Sequence, residues 1–206
     1  MYALVENNTV TKLFTYPKGF VLNNVQYSAD IFTKWSTSEK NAIGIYEVVT
    51  DSTNKKDEKW YINTNESFTF ANNTVTRSWG TATAKAHADT LWTQQDSDDG
   101  LIPDGKSVGD VASEGLKTIL IRQLKEQVAN ELAKTDWYIT RKTEKTTAIP
   151  SAISTHRDAV RTKQATMETA ITNATDTPAL ETLYTYTTDD DGNTTRPLGE
   201  LPTLES

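Results

Sequence analysis

Cysteine is absent from the 206-residue sequence, which excludes disulfides, thiolate metal ligands and cysteine nucleophiles. Histidine occurs only at His87 and His156, and since zinc sites need three or four ligands, no zinc site is expected. No apolar run approaches the roughly 20 residues that span a bilayer, and the first residues lack the pattern of a signal peptide. We therefore expect a soluble protein with no membrane partner and no cofactor.

Basic residues are also in the minority. The chain has 21 Lys and Arg against 28 Asp and Glu, whereas non-specific nucleic-acid binding needs a basic surface. A nucleic-acid partner is therefore not expected. The charge is uneven, because residues 113–175 carry ten basic and seven acidic groups while residues 176–206 carry one and seven. The basic segment could attract the chain's own acidic tail or that of another subunit, although a solvated surface is the default interpretation.

Threonine is abundant, with 35 residues in the chain. Thr and Asn at this density are typical of half-buried strands and polar turns. In the first part of the sequence, alternating apolar and polar segments are joined by Asn7-Asn8 and by Asn72-Asn73. Asparagine tolerates the left-handed backbone of a tight hairpin turn. The sequence therefore predicts a β-rich region, followed by a short helix over residues 82–93.

The C-terminal half has the residue spacing of amphipathic helices. Pro150 opens the second helical pattern, at a position where a missing amide proton has no cost. Because the connection between the two patterns is short, the helices should lie antiparallel. The apolar positions are Leu116, Ile119, Leu120, Leu124, Val128 and Leu132 in the first helix, and Ile153, Val160, Met167 and Ile171 in the second.

Together these patterns predict an α+β fold. An N-terminal β-rich domain made of hairpins is followed by an acidic, turn-rich linker, a C-terminal antiparallel helical hairpin and a flexible acidic tail. The predicted bounds of the four segments are 1–93, 94–112, 113–185 and 186–206.

The connection between the two helices is rich in charged and aromatic residues. Arg157 lies on the apolar stripe of the second helix, where an arginine requires a carboxylate partner. Asp136 and Glu144 are the two candidates. Trp137 follows the last apolar turn of the first helix and could close the open end of the hairpin. A hairpin held by this tryptophan and by ion pairs is the favoured interpretation, and a partner-docking surface is the alternative.

The same segment resembles a sequence that recurs near the C-terminus of bacteriophage tail proteins. The residues that carry the resemblance are Asp136, Trp137, Arg141, Glu144, Ile149, Pro150, Arg157 and Arg161. The similar proteins include tail-fibre assembly chaperones and small fibre or baseplate-associated proteins of marine phages. The opening MYALVENNTVTK, the run Ala42 to Tyr46 and the block from Phe68 to Ile119 also look like marine phage tail proteins.

This resemblance implies a non-enzymatic, structural role in a phage tail, as a fibre, baseplate or adaptor component. Its partners would be other tail proteins, and its location the virion, after synthesis in the cytoplasm of the bacterial host. A tail-fibre assembly chaperone that leaves the particle is the second reading. A carbohydrate-binding receptor module, based on the aromatics of residues 60–92, is the third. A homo-oligomer is expected. Ile153, Val160 and Met167 have the seven-residue spacing of a coiled coil, but the other seam position carries Arg157 and Gln164, so packing within one chain is favoured over a seam between chains.

Two short motifs invite a chemical interpretation. Residues 100–107 fit the pattern G-x-x-x-x-G-K-S of a phosphate-binding loop, but an acidic run occupies the place of the required buried strand. We therefore expect a simple turn at Pro103-Asp104-Gly105. Residues Asp189 to Glu200 match several ligand positions of a calcium loop, but lack its glycine and its flanking helices. A solvated turn is favoured there over a weak cation site.

Overall fold

A computed structural model describes residues 1–204 of the chain. The fold is α+β, as predicted, with strands concentrated in the N-terminal part and long helices in the C-terminal part. The chain divides into two compact units, of which the first is Met1–Thr83 and the second begins at Ala84. This boundary lies earlier than the predicted linker over residues 94–112.

The first unit is built on a five-stranded sheet of order β2-β1-β5-β8-β7. All its neighbouring strands are antiparallel except β5 and β8, which are parallel. The parallel pair is possible because a long connection separates the two strands along the chain. The elements are β1 (Tyr2–Glu6), β2 (Thr9–Phe14), β3 (Phe20–Leu22), β4 (Val25–Tyr27), α1 (Ile31–Lys34), α2 (Thr37–Ala42), β5 (Ile45–Thr50), β6 (Tyr61–Ile62), β7 (Ser67–Ala71), β8 (Thr74–Ser78) and β9 (Thr83–Ala84), which lies at the unit boundary.

Paired asparagines form the turn in three of the hairpins. Each pair has φ between 49° and 62°, which is the left-handed conformation at both central residues of a type I′ turn. The predicted turns Asn7-Asn8 and Asn72-Asn73 are confirmed, and Asn23-Asn24, between β3 and β4, is a third that the sequence analysis missed.

Aromatic rings fill the core of the first unit. The ring of Phe14 lies 4.8 Å from that of Phe20 and 5.1 Å from that of Phe32, measured between centroids. This spacing is within the range that aromatic pairs prefer. The buried cluster consists of Leu4, Phe14, Phe20, Ile31, Phe32 and Ile45.

The second unit contains the long helices. The predicted acidic linker is partly structured, because it contains a short helix and a strand that pairs with an earlier one. The predicted helix over residues 82–93 is absent, and two short strands occupy that stretch. The elements are β10 (Thr90–Leu91), α3 (Gln94–Asp98), β11 (Val111–Ser113), α4 (Leu116–Ala133), α5 (Asp136–Lys145), α6 (Ser151–Asn173), α7 (Thr177–Tyr184), β12 (Thr187–Thr188) and β13 (Thr194–Thr195).

Helices α4 and α6 pack antiparallel, as predicted. Near one end of the pair, the Lys117 ammonium donates a hydrogen bond to the Thr172 carbonyl at 2.7 Å. Near the other end, the Arg157 guanidinium donates to the Leu132 carbonyl at 2.8 Å. The seven-residue stripe of α6 is buried within the chain, which confirms packing inside one chain over a coiled-coil seam. The buried apolar residues of the pair are Leu116, Leu120, Leu124 and Val128 from α4, and Ile153, Val160, Met167 and Ile171 from α6.

Residues 186–204 differ from the predicted flexible tail. Strands β12 and β13 form a hairpin, and after it Leu198 is only 3% exposed, with its amide donating to the Leu183 carbonyl at 3.0 Å. The Arg196 guanidinium lies over the rings of Tyr184 and Tyr186 and pairs with Glu200 at 2.8 Å. One buried leucine and one arginine cluster therefore hold this segment on the helices. The last two residues of the predicted tail lie outside the described part of the chain.

Candidate functional site

The segment between α4 and α6 is itself a helix, α5, rather than the polar connection that the sequence suggested. The side chain of Arg157, from α6, closes the junction between α4 and α5. Its Nη1 atom lies 2.8 Å from the Leu132 carbonyl and 2.6 Å from the Thr135 hydroxyl. Arg157 is 7% exposed and Thr135 is 1% exposed, so these bonds are shielded from water.

The Leu132 carbonyl lies in the last turn of α4, where it also accepts a bond from the Thr135 amide at 3.0 Å, and Arg157 adds a charged donor to it. A cation at this place also interacts favourably with the negative end of the helix dipole. The same nitrogen lies 2.8 Å from Asp136 Oδ1, at the first residue of α5. The predicted pairing of Arg157 with a carboxylate is confirmed, and of the two candidates it is Asp136. Glu144 is exposed and makes no ion pair among the described residues.

Trp137 does not close the hairpin. Its side chain is 52% exposed, and it lies on α5, a helix with no buried residue. The Trp137 and Tyr138 rings have centroids 3.8 Å apart. The Arg141 guanidinium lies 4.7 Å from the Trp137 centroid and 5.1 Å from that of Tyr138. The aromatic residues and the arginine therefore form one cation–π cluster at the surface.

Two further lysines extend this cluster along the helix. At 100° per residue, Lys142 and Lys145 project on the same side of α5 as Trp137, Tyr138 and Arg141, because they follow them at helical spacing. Both lysines are exposed. We call these five residues the α5 face. It combines exposed aromatic surface with positive charge.

Pro150 and Arg161 of the sequence motif have structural roles. Before them, Thr146 ends α5 in the left-handed conformation, with φ 54°. Pro150 is the N-cap of α6, and its carbonyl accepts hydrogen bonds from Ile153 and Ser154. Arg161 is exposed and lies 3.7 Å from Asp158, one turn away on the same helix. Exposed pairs of this kind contribute little to stability, so Arg161 does not share the role of Arg157.

His156 is buried against α4. Its Nε2 atom lies 3.3 Å from Glu131 Oε1, without the alignment of a hydrogen bond. A hydrogen bond from Lys134 lowers the pKa of Glu131, and the charges of Lys134 and His156 add to that effect. The signal that could have located His156 is its place beside Arg157 and three residues after Ile153, on the edge of the apolar stripe.

The two short motifs form turns. At residues 103–106 the Lys106 amide donates to the Pro103 carbonyl at 3.1 Å, and Gly105 has φ 80°. This confirms the predicted turn, and the motif lacks the strand before it that a phosphate-binding loop requires. In the segment from Asp189 to Glu200, the Asn193 amide donates to Asp189 Oδ1 at 2.8 Å, and this bond lowers the pKa of Asp189. Glu200, the last ligand position of the supposed calcium loop, pairs with Arg196 instead.

Within residues 1–204, no group of three or more His, Cys, Asp or Glu side chains is placed to hold a metal ion. No helix in that part of the chain combines the length and the apolar character that crossing a membrane would need. The sequence matches no model of a known protein family and no curated protein, and its fold matches no solved structure.

Proposed function

We propose that this protein is a structural component of a phage tail, in a fibre, baseplate or adaptor, and that it docks to neighbouring tail subunits through the α5 face. The observation that carries the proposal is the combination of an exposed aromatic and cationic helix with a buried anchor. The Trp137 ring is half exposed, with the half-buried Arg141 beside it, while Arg157 fixes the start of α5 to the helical hairpin.

Such a surface fits protein docking better than chemistry. Tryptophan, tyrosine and arginine are the residues enriched at the energetic centres of protein interfaces. Here the Trp137, Tyr138 and Arg141 side chains already pack against one another, so little side-chain entropy remains to be lost on binding. The resemblance of residues 136–161 to phage tail proteins supports the choice of partner.

Quantitative mass spectrometry of purified phage particles from the host that expresses this chain tests the proposal. A structural component is present in particles at a fixed ratio to other tail proteins. Abundance in the lysate with absence from washed particles would contradict the structural role and favour the assembly chaperone. A known virion protein and a known non-virion phage protein, quantified in the same samples, provide the two reference values.

A further inference from the structure

Lys142 and Lys145 on the α5 face lack partners within their own chain. Among the described residues, neither ammonium group takes part in an ion pair or a hydrogen bond. Nearby, Arg157 pairs with Asp136 and Lys134 with Glu131. Glu144 on α5 is exposed and unpaired among the described residues, but Arg141, Lys142 and Lys145 outnumber it. The α5 face therefore presents positive charge that the chain itself does not neutralise.

The complementary charge lies on the hairpin formed by β12 and β13. Asp190 and Asp191 occupy its turn, are exposed, and have carboxylates without an ion pair or hydrogen bond among the described residues. The neighbouring Asp189 differs, because its carboxylate accepts bonds from the backbone of Asp191 and Asn193. By contrast, three carboxylates of the acidic stretch around α3 accept hydrogen bonds within their own helix: Asp96 from Thr93, Asp98 from Gln94 and Asp99 from Gln95.

These two surfaces lie at different places on the second unit. The α5 face is at the end of the hairpin where α4 ends and α6 begins. The β12–β13 hairpin leaves from the C-terminal end of α7, and Leu198, just after it, lies beside Leu120, Leu124 and Met167 in the body of the helices. The lysines and the aspartates of one chain are not paired with each other, so a second copy can supply the missing partner.

We propose that the protein associates with itself head to tail, with the α5 face of one copy against the Asp190-Asp191 turn of the next. This inference deepens the proposed docking role of the α5 face and rests on it. Because the two surfaces are different, each copy keeps one of them free after the first contact. Such heterologous contacts generate rings when the rotation closes and filaments when it does not.

Charge reversal tests the contact on the full chain, using sedimentation velocity over a range of concentrations. At an ionic strength of about 0.01 M, where charges act over about 30 Å, we expect the average mass to rise above the 22.9 kDa of one chain. Lys142→Glu with Lys145→Glu should weaken self-association by about tenfold or more, and so should Asp190→Lys with Asp191→Lys. The variant that carries all four changes should recover association, because opposite charges again face each other.

Lys106→Glu with Lys125→Glu is the matched control, since it makes the same change of charge at exposed lysines elsewhere in the second unit. It should leave association within about twofold of the original chain, which is inside the usual range of rim effects. A chain that stays monomeric at every concentration overturns the proposal. The proposal also fails if the variant carrying all four substitutions does not recover association. Neither result bears on whether the protein is present in phage particles, which mass spectrometry decides separately.

Discussion

Arg157 joins three parts of the second unit with one nitrogen atom. The Arg157 Nη1 atom donates to the Leu132 carbonyl at the end of α4 and to the Thr135 hydroxyl at the junction, and it pairs with the Asp136 carboxylate at the start of α5. A buried arginine is costly unless its hydrogen bonds are made. Here they are made to the groups that set the direction of α5, so the position of the α5 face depends on this side chain.

Replacing this arginine should therefore destabilise the helices. Arg157→Ala should lower the free energy of unfolding by about 1.5–3 kcal/mol, the range for hydrogen bonds to a charged group. Arg161→Ala, on the same helix but exposed, should change it by less than about 0.5 kcal/mol. Urea denaturation followed by circular dichroism measures both. Equal effects for the two variants would contradict the role assigned to Arg157.

Trp137, unlike the buried Arg157, should contribute little to stability because it is half exposed. Because its ring is half exposed and contacts mainly Tyr138 and Arg141, Trp137→Ala should cost about 0.5–1 kcal/mol, the value of an exposed cation–π contact. Trp60, which is 3% exposed in the first unit, is the buried comparison, and Trp60→Ala should cost about 3–5 kcal/mol. Thermal and urea unfolding of the two variants gives the comparison. A large loss of stability for Trp137→Ala would place that ring in a core.

Asp89 replaces the missing N-cap side chain of α4. The N-cap residue is Gly115, whose amide donates to Asp89 Oδ1 at 2.7 Å. This bond, followed by one from the Thr118 hydroxyl, lowers the pKa of Asp89 in the folded protein. The contribution to stability is therefore complete above the unfolded pKa of about 3.9 and is lost as the pH falls through the lower folded value.

An NMR titration of the Asp89 carboxyl should accordingly give a midpoint below that of an unfolded aspartate. The Gly115 amide shift should follow the same curve, because protonation weakens the bond that it donates. Asp89→Asn should remove this acid transition from the Gly115 signal. A Gly115 amide that does not respond to acid in the original chain would show that the bond is absent.

At the scale of elements, the asparagine pairs fix the register of three hairpins. Non-glycine residues other than asparagine and aspartate are disfavoured in the left-handed region by about 1–2 kcal/mol per residue. Asn72→Ala with Asn73→Ala should therefore cost about 2–4 kcal/mol, whereas Asn73→Gly should be neutral or stabilising, since glycine accepts this conformation. Urea denaturation of the two variants measures the difference. Equal stability of the alanine and glycine variants would contradict the turn type.

The elements that could be predicted are those with a strong local pattern. The apolar stripes of α4 and α6 and the turns at Asn7-Asn8 and Asn72-Asn73 carry their own signals. Helix α5 does not, because all its residues are exposed or half-buried and it lacks an apolar stripe. Its direction is set by Arg157, which comes after it in the chain. Of the candidate site, the Arg157–Asp136 pair could therefore be predicted, but the exposed position of Trp137 could not.

The positions of the unit boundary and of the C-terminal segment depend on tertiary contacts. The boundary after Thr83 has no proline and no charge run to mark it, whereas the acidic stretch around α3 has a charge run without being the boundary. The C-terminal segment is held by Leu198 and by the Arg196 cluster. Only one of the leucines in this mostly acidic and polar segment is buried, so its composition predicted flexibility there.

For the whole molecule, charge is separated between surfaces of the second unit. The net charge of −7 conceals a cationic α5 face and an anionic β12–β13 turn. Complementary charged surfaces of this kind steer and orient the encounter between two proteins. The proposed role in a phage tail and the proposed head-to-tail contact both depend on the α5 face.

Cross-linking mass spectrometry of purified particles tests that face most directly. An amine-reactive reagent should join Lys142 or Lys145 to tail proteins or to a second copy of the chain in intact particles. Lys18 and Lys106, which are exposed but lie elsewhere, serve as internal comparisons. We expect the α5 lysines to give the dominant links between chains. Chain-to-chain links confined to Lys18 or Lys106, or particles that lack the protein altogether, would contradict the proposal.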